Sequence, residues 1–379
     1  MNGLKVLLVV NAEWYFWSHR LALAQALQAV GADVTVAAAV ERGYDKAIRS
    51  VGLRFVPLSL RRRSTSLRME SASLLELQHL YRQIAPDLVH HFTIKPVIYG
   101  SFAARMAQIH HVVNTIPGLG STFRTNTWKQ RLVRSGVSAA YRLALAGDHV
   151  RVIFQNPQDR DYFVEHRLVV ENRSTVIRGS GVDLTTFHPA PESSDLPVVL
   201  LASRLLWDKG VQEFVDAAHL VYQTRVPCRF VLVGIPDDEN PNSVPETVLR
   251  RWHAEGVVEW WGLRNDMPTV LQQATVVTLP SYYPEGVPKI LLEAAATQRA
   301  IVTTDTPGCR EVVQHGRTGL LVPPRSAKAL AAAILTLLED AALRHQLAAA
   351  ARVCVEEQFE EKLVIGQTLA VYHALLQSH

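Results

Sequence analysis

Short uninterrupted apolar runs alternate along this chain with longer stretches of helical periodicity. Residues 4–10 read Leu-Lys-Val-Leu-Leu-Val-Val, and comparable runs stand at 33–40, 87–91, 111–115 and 151–155. Continuous rather than alternating apolar character predicts parallel strands covered on both faces. Between them the apolar spacing turns helical at 21–30 and 131–146. Ser18 stands where the first of these helices needs a cap, Gly31 where it stops, and Asn156-Pro157 opens the turn after the fifth strand. The pattern then repeats. Strands are predicted at 198–202, 229–233, 257–261, 276–279 and 300–303, with helices at 211–222, 245–255, 267–272, 287–297 and 327–339. A last helix is predicted over 356–376.

Strands separated by helices imply βαβ units in doubly wound α/β sheets. At 379 residues the chain exceeds what one core supports. His188-Pro-Ala-Pro-Glu-Ser-Ser-Asp-Leu-Pro197 has no periodicity and marks a boundary. The expected organisation is an N-terminal domain over 1–188, a C-terminal domain over 196–355, and a helix within 356–379 that returns toward the first domain. Two such Rossmann-like domains are expected to face a central cleft and to place ligands at the carboxyl ends of their strands. Neither opens with Gly-x-Gly-x-x-Gly; Gly118-Leu-Gly120 has Phe123 in the third slot, which argues against a nicotinamide cofactor.

Charge separates the two halves. Residues 1–188 hold 23 Lys/Arg and 13 Asp/Glu (+10), and residues 189–379 hold 16 and 22 (−6), which sum to the net +4 of the chain. Arg61, Arg62, Arg63 and Arg68 are interleaved with Leu58, Leu60 and Leu67, a pattern suited to an anionic membrane surface. No nucleic-acid module accompanies the positive charge, so nucleic acid is not an expected partner. Cys228, Cys309 and Cys354 are odd in number and far apart, which suits a reducing cytoplasm better than a disulfide framework. No apolar run approaches the ~20 residues of a membrane-spanning helix, and the first residues read as a strand rather than a leader.

The candidate chemistry lies in the second half. Pro280-Ser-Tyr-Tyr-Pro-Glu-Gly-Val-Pro-Lys-Ile-Leu-Leu-Glu-Ala-Ala-Ala296 sets Glu285 before an apolar helical run and Glu293 inside it. Eight residues span ~12 Å along a helix, too far for both carboxylates to share one reacting atom. They suit two ends of one extended ligand, with an anion near the helix start, where Gly286 admits a close backbone approach. A sugar carried on a nucleoside diphosphate has that form. Arg204 and Lys209, in Ser-Arg-Leu-Leu-Trp-Asp-Lys-Gly after a predicted strand, supply a fork and a point charge suited to a diphosphate.

These segments resemble the donor-site motifs of glycosyltransferase family 4, retaining enzymes of the GT-B fold. Gly181-Val-Asp-Leu-Thr-Thr-Phe-His-Pro189, Trp261-Gly262 with Asp266, and Thr306-Pro-Gly308 with Glu311, Gly316 and Gly319-Leu-Leu-Val322 extend the resemblance over nearly the whole chain. The resemblance implies that Arg204 and Lys209 bind the donor diphosphate and stabilise its charge as it leaves. It implies that Glu285 contacts the donor sugar and that Glu293 accepts from ribose hydroxyls. It further implies that Gly286, Val287, Pro288 and Arg264 complete the donor site. No metal or other cofactor is implied; Asp159-Arg-Asp161 reads as the acidic first turn of a helix.

In the first half, Asn11-Ala-Glu-Trp-Tyr-Phe-Trp-Ser-His-Arg20, His90-His-Phe-Thr-Ile-Lys95 and Val113-Asn-Thr-Ile-Pro-Gly118 resemble bacterial capsule and O-antigen transferases. Those add an N-acetylhexosamine to a sugar on undecaprenyl diphosphate. The resemblance implies an acceptor site drawn from His19, Arg20, His91, Lys95, Asn114, Thr115 and Gly118. Many family members carry a His after the strand that ends at Thr115; here 115–120 has none, and Asn114 or Thr115 takes its place. The expected protein is therefore a retaining glycosyltransferase at the cytoplasmic face of the inner membrane, with a UDP-sugar donor and a lipid-linked saccharide acceptor. A soluble transferase with a small acceptor, or a nucleotide-sugar epimerase, are the competing expectations.

Overall fold

The computed structural model describes residues 1–60, 67–119, 128–192, 195–237 and 239–377. They form two compact units, Met1–Ser180 with Val364–His379, and Gly181–Leu363. The first unit holds seven parallel strands: β1 (Lys5–Ala12), β2 (Asp33–Ala39), β3 (Arg54–Pro57), β4 (Leu88–Phe92), β5 (Val112–Ile116), β6 (Val150–Phe154) and β7 (Ser174–Val176). Their order in the sheet is β3-β2-β1-β4-β5-β6-β7. The second unit holds six: β8 (Val198–Ala202), β9 (Arg229–Val233), β10 (Glu259–Trp260), β11 (Val276–Leu279), β12 (Ala300–Thr304) and β13 (Leu320–Val322). They too are parallel, in the order β10-β9-β8-β11-β12-β13.

Each sheet is buried on both faces, as its uninterrupted apolar strands require. On β1, Leu7 and Val9 enter one core, while Val6, Leu8 and Val10 enter the other. On β8, Val199 and Leu201 face one layer of helices and Val198, Leu200 and Ala202 the opposite one. Strand order reverses between β1 and β4 in one unit and between β8 and β11 in the other. Switch points of this kind are where open parallel sheets take their ligands.

Several elements differ from the sequence expectation. Ser18 lies inside a short helix, Glu13–His19, so it caps nothing; the next helix, Leu21–Ala29, starts after Arg20 without a side-chain cap. The helix expected over 287–297 runs from Lys289 to Ala296, because Pro288 sits in extended conformation at its start. Glu285 is thus four residues outside the helix, and the helical rise does not measure its separation from Glu293. The last expected helix is two: Ala341–Gln358 and Glu361–Leu376. Between them, Phe359 O accepts from Val182 N (2.9 Å) and Glu361 N donates to Val182 O (3.0 Å), a strand-like bridge that stops the helix. Val364, Tyr372 and Leu375 then join the core of the first unit. Asn156 does cap the helix Pro157–Glu165, accepting from Asp159 N at 2.8 Å. Arg61, Arg62 and Arg63 lie outside the described residues, and Arg68 is exposed on the helix Leu67–Ile84.

Candidate functional site

In the second unit the loops after β8 and β11 flank the switch point and are fastened to each other. After β8 the chain makes a 3₁₀ turn, Trp207–Lys209, and reverses at Gly210, whose φ of +77° belongs to the left-handed region. The Asp208 carbonyl accepts from two backbone groups of the β11 loop, Tyr282 N (3.0 Å) and Tyr283 N (3.1 Å), and Ser281 Oγ lies 3.2 Å from it. That clamp carries Lys209 Nζ onto Glu285 Oε1, an ion pair whose side chains are each 11% exposed. Ser281 Oγ donates to the same carboxylate oxygen at 2.9 Å, and the Tyr283 ring centroid lies 5.3 Å from Lys209 Nζ. A cation and a carboxylate are therefore held together, mostly out of water, at the end of a parallel sheet.

Arg204 leaves the same strand end as Lys209. Its Nη1 donates to Asp237 Oδ2 at 3.1 Å, and Asp237 is buried, with its backbone N–H donating to Ser243 Oγ at 2.8 Å. Arg264 is held by Asp266 through two bonds, Nε to Oδ1 (2.7 Å) and Nη2 to Oδ2 (2.5 Å), and lies over Trp261. Gly286, Val287 and Pro288 form the loop before the helix Lys289–Ala296, with Val287 and Pro288 buried. Asp237 and Ser281 had no place among the sequence candidates. Ser281 lies inside the motif and Asp237 just beyond a predicted strand, but nothing local shows which partner each meets.

Glu293 is buried on the helix Lys289–Ala296, with Lys289 Nζ at 3.4 Å. Burial raises its carboxyl above the usual range, and the nearby Lys289 charge acts against that rise. A raised acid favours the protonated form in the fold, so the charged form lowers stability once pH exceeds its ordinary value. Glu293→Gln is therefore expected to leave thermal stability unchanged or higher at pH 8. Thermal unfolding of the two proteins at pH 8 tests this; a lower melting temperature in Glu293→Gln would contradict it.

In the first unit the candidates gather around the β1–β4 switch point and the neighbouring β5. His91 is fully enclosed, with Nδ1 on Asn114 Oδ1 and Nε2 on the Tyr81 hydroxyl, both at 2.8 Å. Burial pushes its pKa down to about 4, against the Asn114 bond, so the ring is neutral. With both nitrogens engaged, His91 is a core residue, and Asn114 is enclosed with it. Thr115 Oγ1 bonds His90 Nε2 at 2.7 Å, and His90 Nδ1 bonds the Tyr372 hydroxyl at 2.5 Å. Lys95 Nζ pairs with Glu70 at 2.8 Å. His19 stacks on Tyr15, 4.6 Å between centroids, and bonds Ser18 Oγ. Arg20 is buried, and Gly118 is half-buried in the loop after β5.

Known proteins share both units. The Glycosyl transferase 4-like family matches residues 5–156, and the Glycosyl transferases group 1 family matches residues 196–340. The N,N'-diacetylbacillosaminyl-diphospho-undecaprenol alpha-1,3-N-acetylgalactosaminyltransferase of Campylobacter jejuni is 30% identical over 349 residues, 88% of this chain and 89% of that protein. The UDP-Gal:alpha-D-GlcNAc-diphosphoundecaprenol alpha-1,3-galactosyltransferase of Escherichia coli is 27% identical over 305 residues, 78% of this chain and 76% of that protein. Among solved structures, Anabaena HepE in complex with UDP and glucose superposes with a TM-score of 0.80 at 19% identity, covering 98% of this chain and 99% of that one.

Proposed function

Since the chain belongs to the group 1 glycosyl transferases, we propose that it moves an N-acetylhexosamine from a UDP-sugar to a saccharide on undecaprenyl diphosphate, with retention of configuration. Cell-surface polysaccharide or glycan assembly, of capsule or O-antigen type, is the setting. The observation that carries this reading is the Lys209–Glu285 pair, bound to Ser281 at the β8–β11 switch point. Lys209 and Arg204 take the donor diphosphate, Glu285 lies against the transferred sugar, and Glu293 receives the ribose hydroxyls. The bond from the anomeric carbon to the β-phosphate oxygen breaks, and the acceptor oxygen bonds that carbon on the same face. The acceptor's proton passes to the leaving phosphate, and UDP departs. The two cations stabilise the charge that develops on the diphosphate, in a site sheltered from water. No metal is needed in this scheme. The Campylobacter and Escherichia relatives, whose names state diphospho-undecaprenol acceptors, support the acceptor class.

Transfer from a panel of UDP- and GDP-sugars to an undecaprenyl-diphosphate-linked sugar in micelles tests this, with product configuration read by NMR. An inverted product, an epimerised donor, or equal turnover with free sugar acceptors would overturn it.

The acceptor class implies a membrane face, and the helix Trp128–Ala144 suits one. It carries Lys129, Arg131, Arg134 and Arg142 and no Asp or Glu. Leu132, Val133 and Leu143 are 70%, 58% and 57% exposed, and helical spacing puts them on one side. Among the described residues no helix is long and apolar enough to cross a membrane. Basic charge with exposed leucine suits peripheral contact with anionic lipid at the cytoplasmic surface, together with Arg61, Arg62, Arg63 and Arg68. Leu132→Asp with Val133→Asp is expected to weaken binding to phosphatidylglycerol vesicles at least ~10-fold, from the lost apolar burial. Cosedimentation equal to the unchanged chain would speak for a soluble transferase.

A further inference from the structure

One buried acid of the second unit has no part in the proposed chemistry. Asp237 stands just beyond β9, and its Oδ2 accepts from Arg204 Nη1 at 3.1 Å. The Asp237 side chain is 4% exposed and that of Arg204 31%, so the pair joins an enclosed carboxylate to a guanidinium that reaches solvent. The segment around Asp237 is fastened to the Arg204 loop at several points. Leu205 N donates to Ile235 O (3.2 Å), Trp207 N to Asn242 O (2.8 Å) and Val244 N to Leu205 O (2.9 Å). Within the segment, Asp237 N donates to Ser243 Oγ (2.8 Å) and Asn240 N to Asp237 O (2.6 Å). Gly234 permits the close approach at its start: a Cβ there would lie 1.9 Å from Ser203 O, and its φ is +133°. The two loops are thus one bonded piece, with Asp237 built into it.

A carboxylate on the cation that is to bind a diphosphate calls for a reason. By charge alone it would repel the ligand. Its burial also costs free energy, which the bond from Arg204 offsets. The bonds that fasten the loop run through backbone atoms and Ser243, so they do not require a carboxylate at 237. What the carboxylate can do is act on Arg204. A long side chain that must be ordered by its ligand costs affinity, and one ordered beforehand does not. A guanidinium carries five N–H donors in a rigid fork, enough to bond a carboxylate and a phosphate together. Fixing that fork outweighs a repulsion already screened by the cation the carboxylate bonds.

We propose that Asp237 is the positioning residue for Arg204. It holds the guanidinium where the donor diphosphate arrives, and so sets donor affinity without touching the donor. The same hold keeps the fork aimed as charge grows on the leaving diphosphate, with no reorganisation at that moment. The role rests on the reading of Arg204 as a diphosphate ligand.

Calorimetric titration of the full chain with UDP tests this in a cycle of Asp237→Asn and Arg204→Gln. The amide at 237 keeps the size of the side chain and one acceptor oxygen but loses the charge. Asp237→Asn is expected to weaken UDP binding ~10-fold, the scale of ordering one long side chain on a ligand. In the Arg204→Gln background the same substitution is expected to change nothing more, because Asp237 acts only through Arg204. In transfer assays Asp237→Asn raises donor KM and leaves acceptor KM unchanged, a split that a general loosening of the unit would not produce. UDP affinity unaltered or tighter in Asp237→Asn overturns the proposal, and so does an equal loss in both backgrounds. Should Asp237→Asn melt far below the unchanged chain, Ser243→Ala decides instead. It keeps both charges and removes the hydroxyl that accepts from Asp237 N. It is expected to weaken UDP binding ~3-fold when Arg204 is present and not in the Arg204→Gln background; no weakening overturns the role. UDP binding with the expected pattern but no transfer to any acceptor would leave the role standing and remove the transferase reading. Transfer by Asp237→Asn with unaltered donor KM would do the reverse.

Discussion

Lys209→Ala is expected to lower kcat for sugar transfer by ~10²–10³-fold, the scale of losing one preorganised group aimed at developing charge. Lys209 and Glu285 are each 11% exposed, so their charges act through a medium less screened than water. In the proposed reaction negative charge grows on the phosphate oxygen as the diphosphate leaves, and a sheltered ammonium there would stabilise that state more than the ground state. A purely structural pair would behave differently. Removing one partner would then strand the other as an unpaired buried charge and lower stability, and removing both would restore it. The double-mutant cycle of Lys209→Met and Glu285→Gln separates the two roles. Stability is expected to recover in the double variant, while kcat stays low. Near-normal kcat in Lys209→Ala, or recovery of kcat in the double variant, would leave the pair without a catalytic part.

Gly308→Ala is the second large effect, expected to reduce kcat/KM ~10²-fold, as a displacement of about 1 Å at a reacting centre does. A Cβ at Gly308 would lie 1.6 Å from Gly286 O and 2.7 Å from Glu285 O. Both neighbours are backbone, so no side chain can turn aside; the Glu285–Gly286 loop itself must move. Gly308 sits in the short helix Pro307–Arg310 and is absent from the positive-φ glycines, so alanine suits its backbone and only the contact is at fault. Gly366→Ala is the control. It lies in the helix Glu361–Leu376 with nothing within 4 Å of its Cβ, and is expected to leave activity unchanged and add ~1 kcal/mol of stability. Circular dichroism and steady-state kinetics on both variants decide it; full activity in Gly308→Ala would show that the loop tolerates displacement.

Sequence alone determined the strands whose burial is continuous, and with them the α/β class. Residues 198–202, 229–233 and 276–279 were legible as apolar runs and recur unchanged as β8, β9 and β11. It also determined the residue types of the candidate site and their place at strand ends, since both the motif spacing and the family resemblance are properties of the linear chain. Short edge strands were illegible: β3, β7 and β13 have three or four residues, too few for a period to show. Pro288 moved a helix start and so separated Glu285 from the helix that carries Glu293. His91 looked chemical by type, yet its strand places it where Tyr81 and Asn114 consume both nitrogens. Only the tertiary structure decided that Lys209 meets Glu285, 76 residues away, that Asp237 holds Arg204, and that Gly308 lies against the Gly286 carbonyl. The physical reason is the same in each case. Periodicity and turn chemistry act within a few residues, whereas these partners are brought together by the order of strands in a sheet, which depends on the packing of the whole unit.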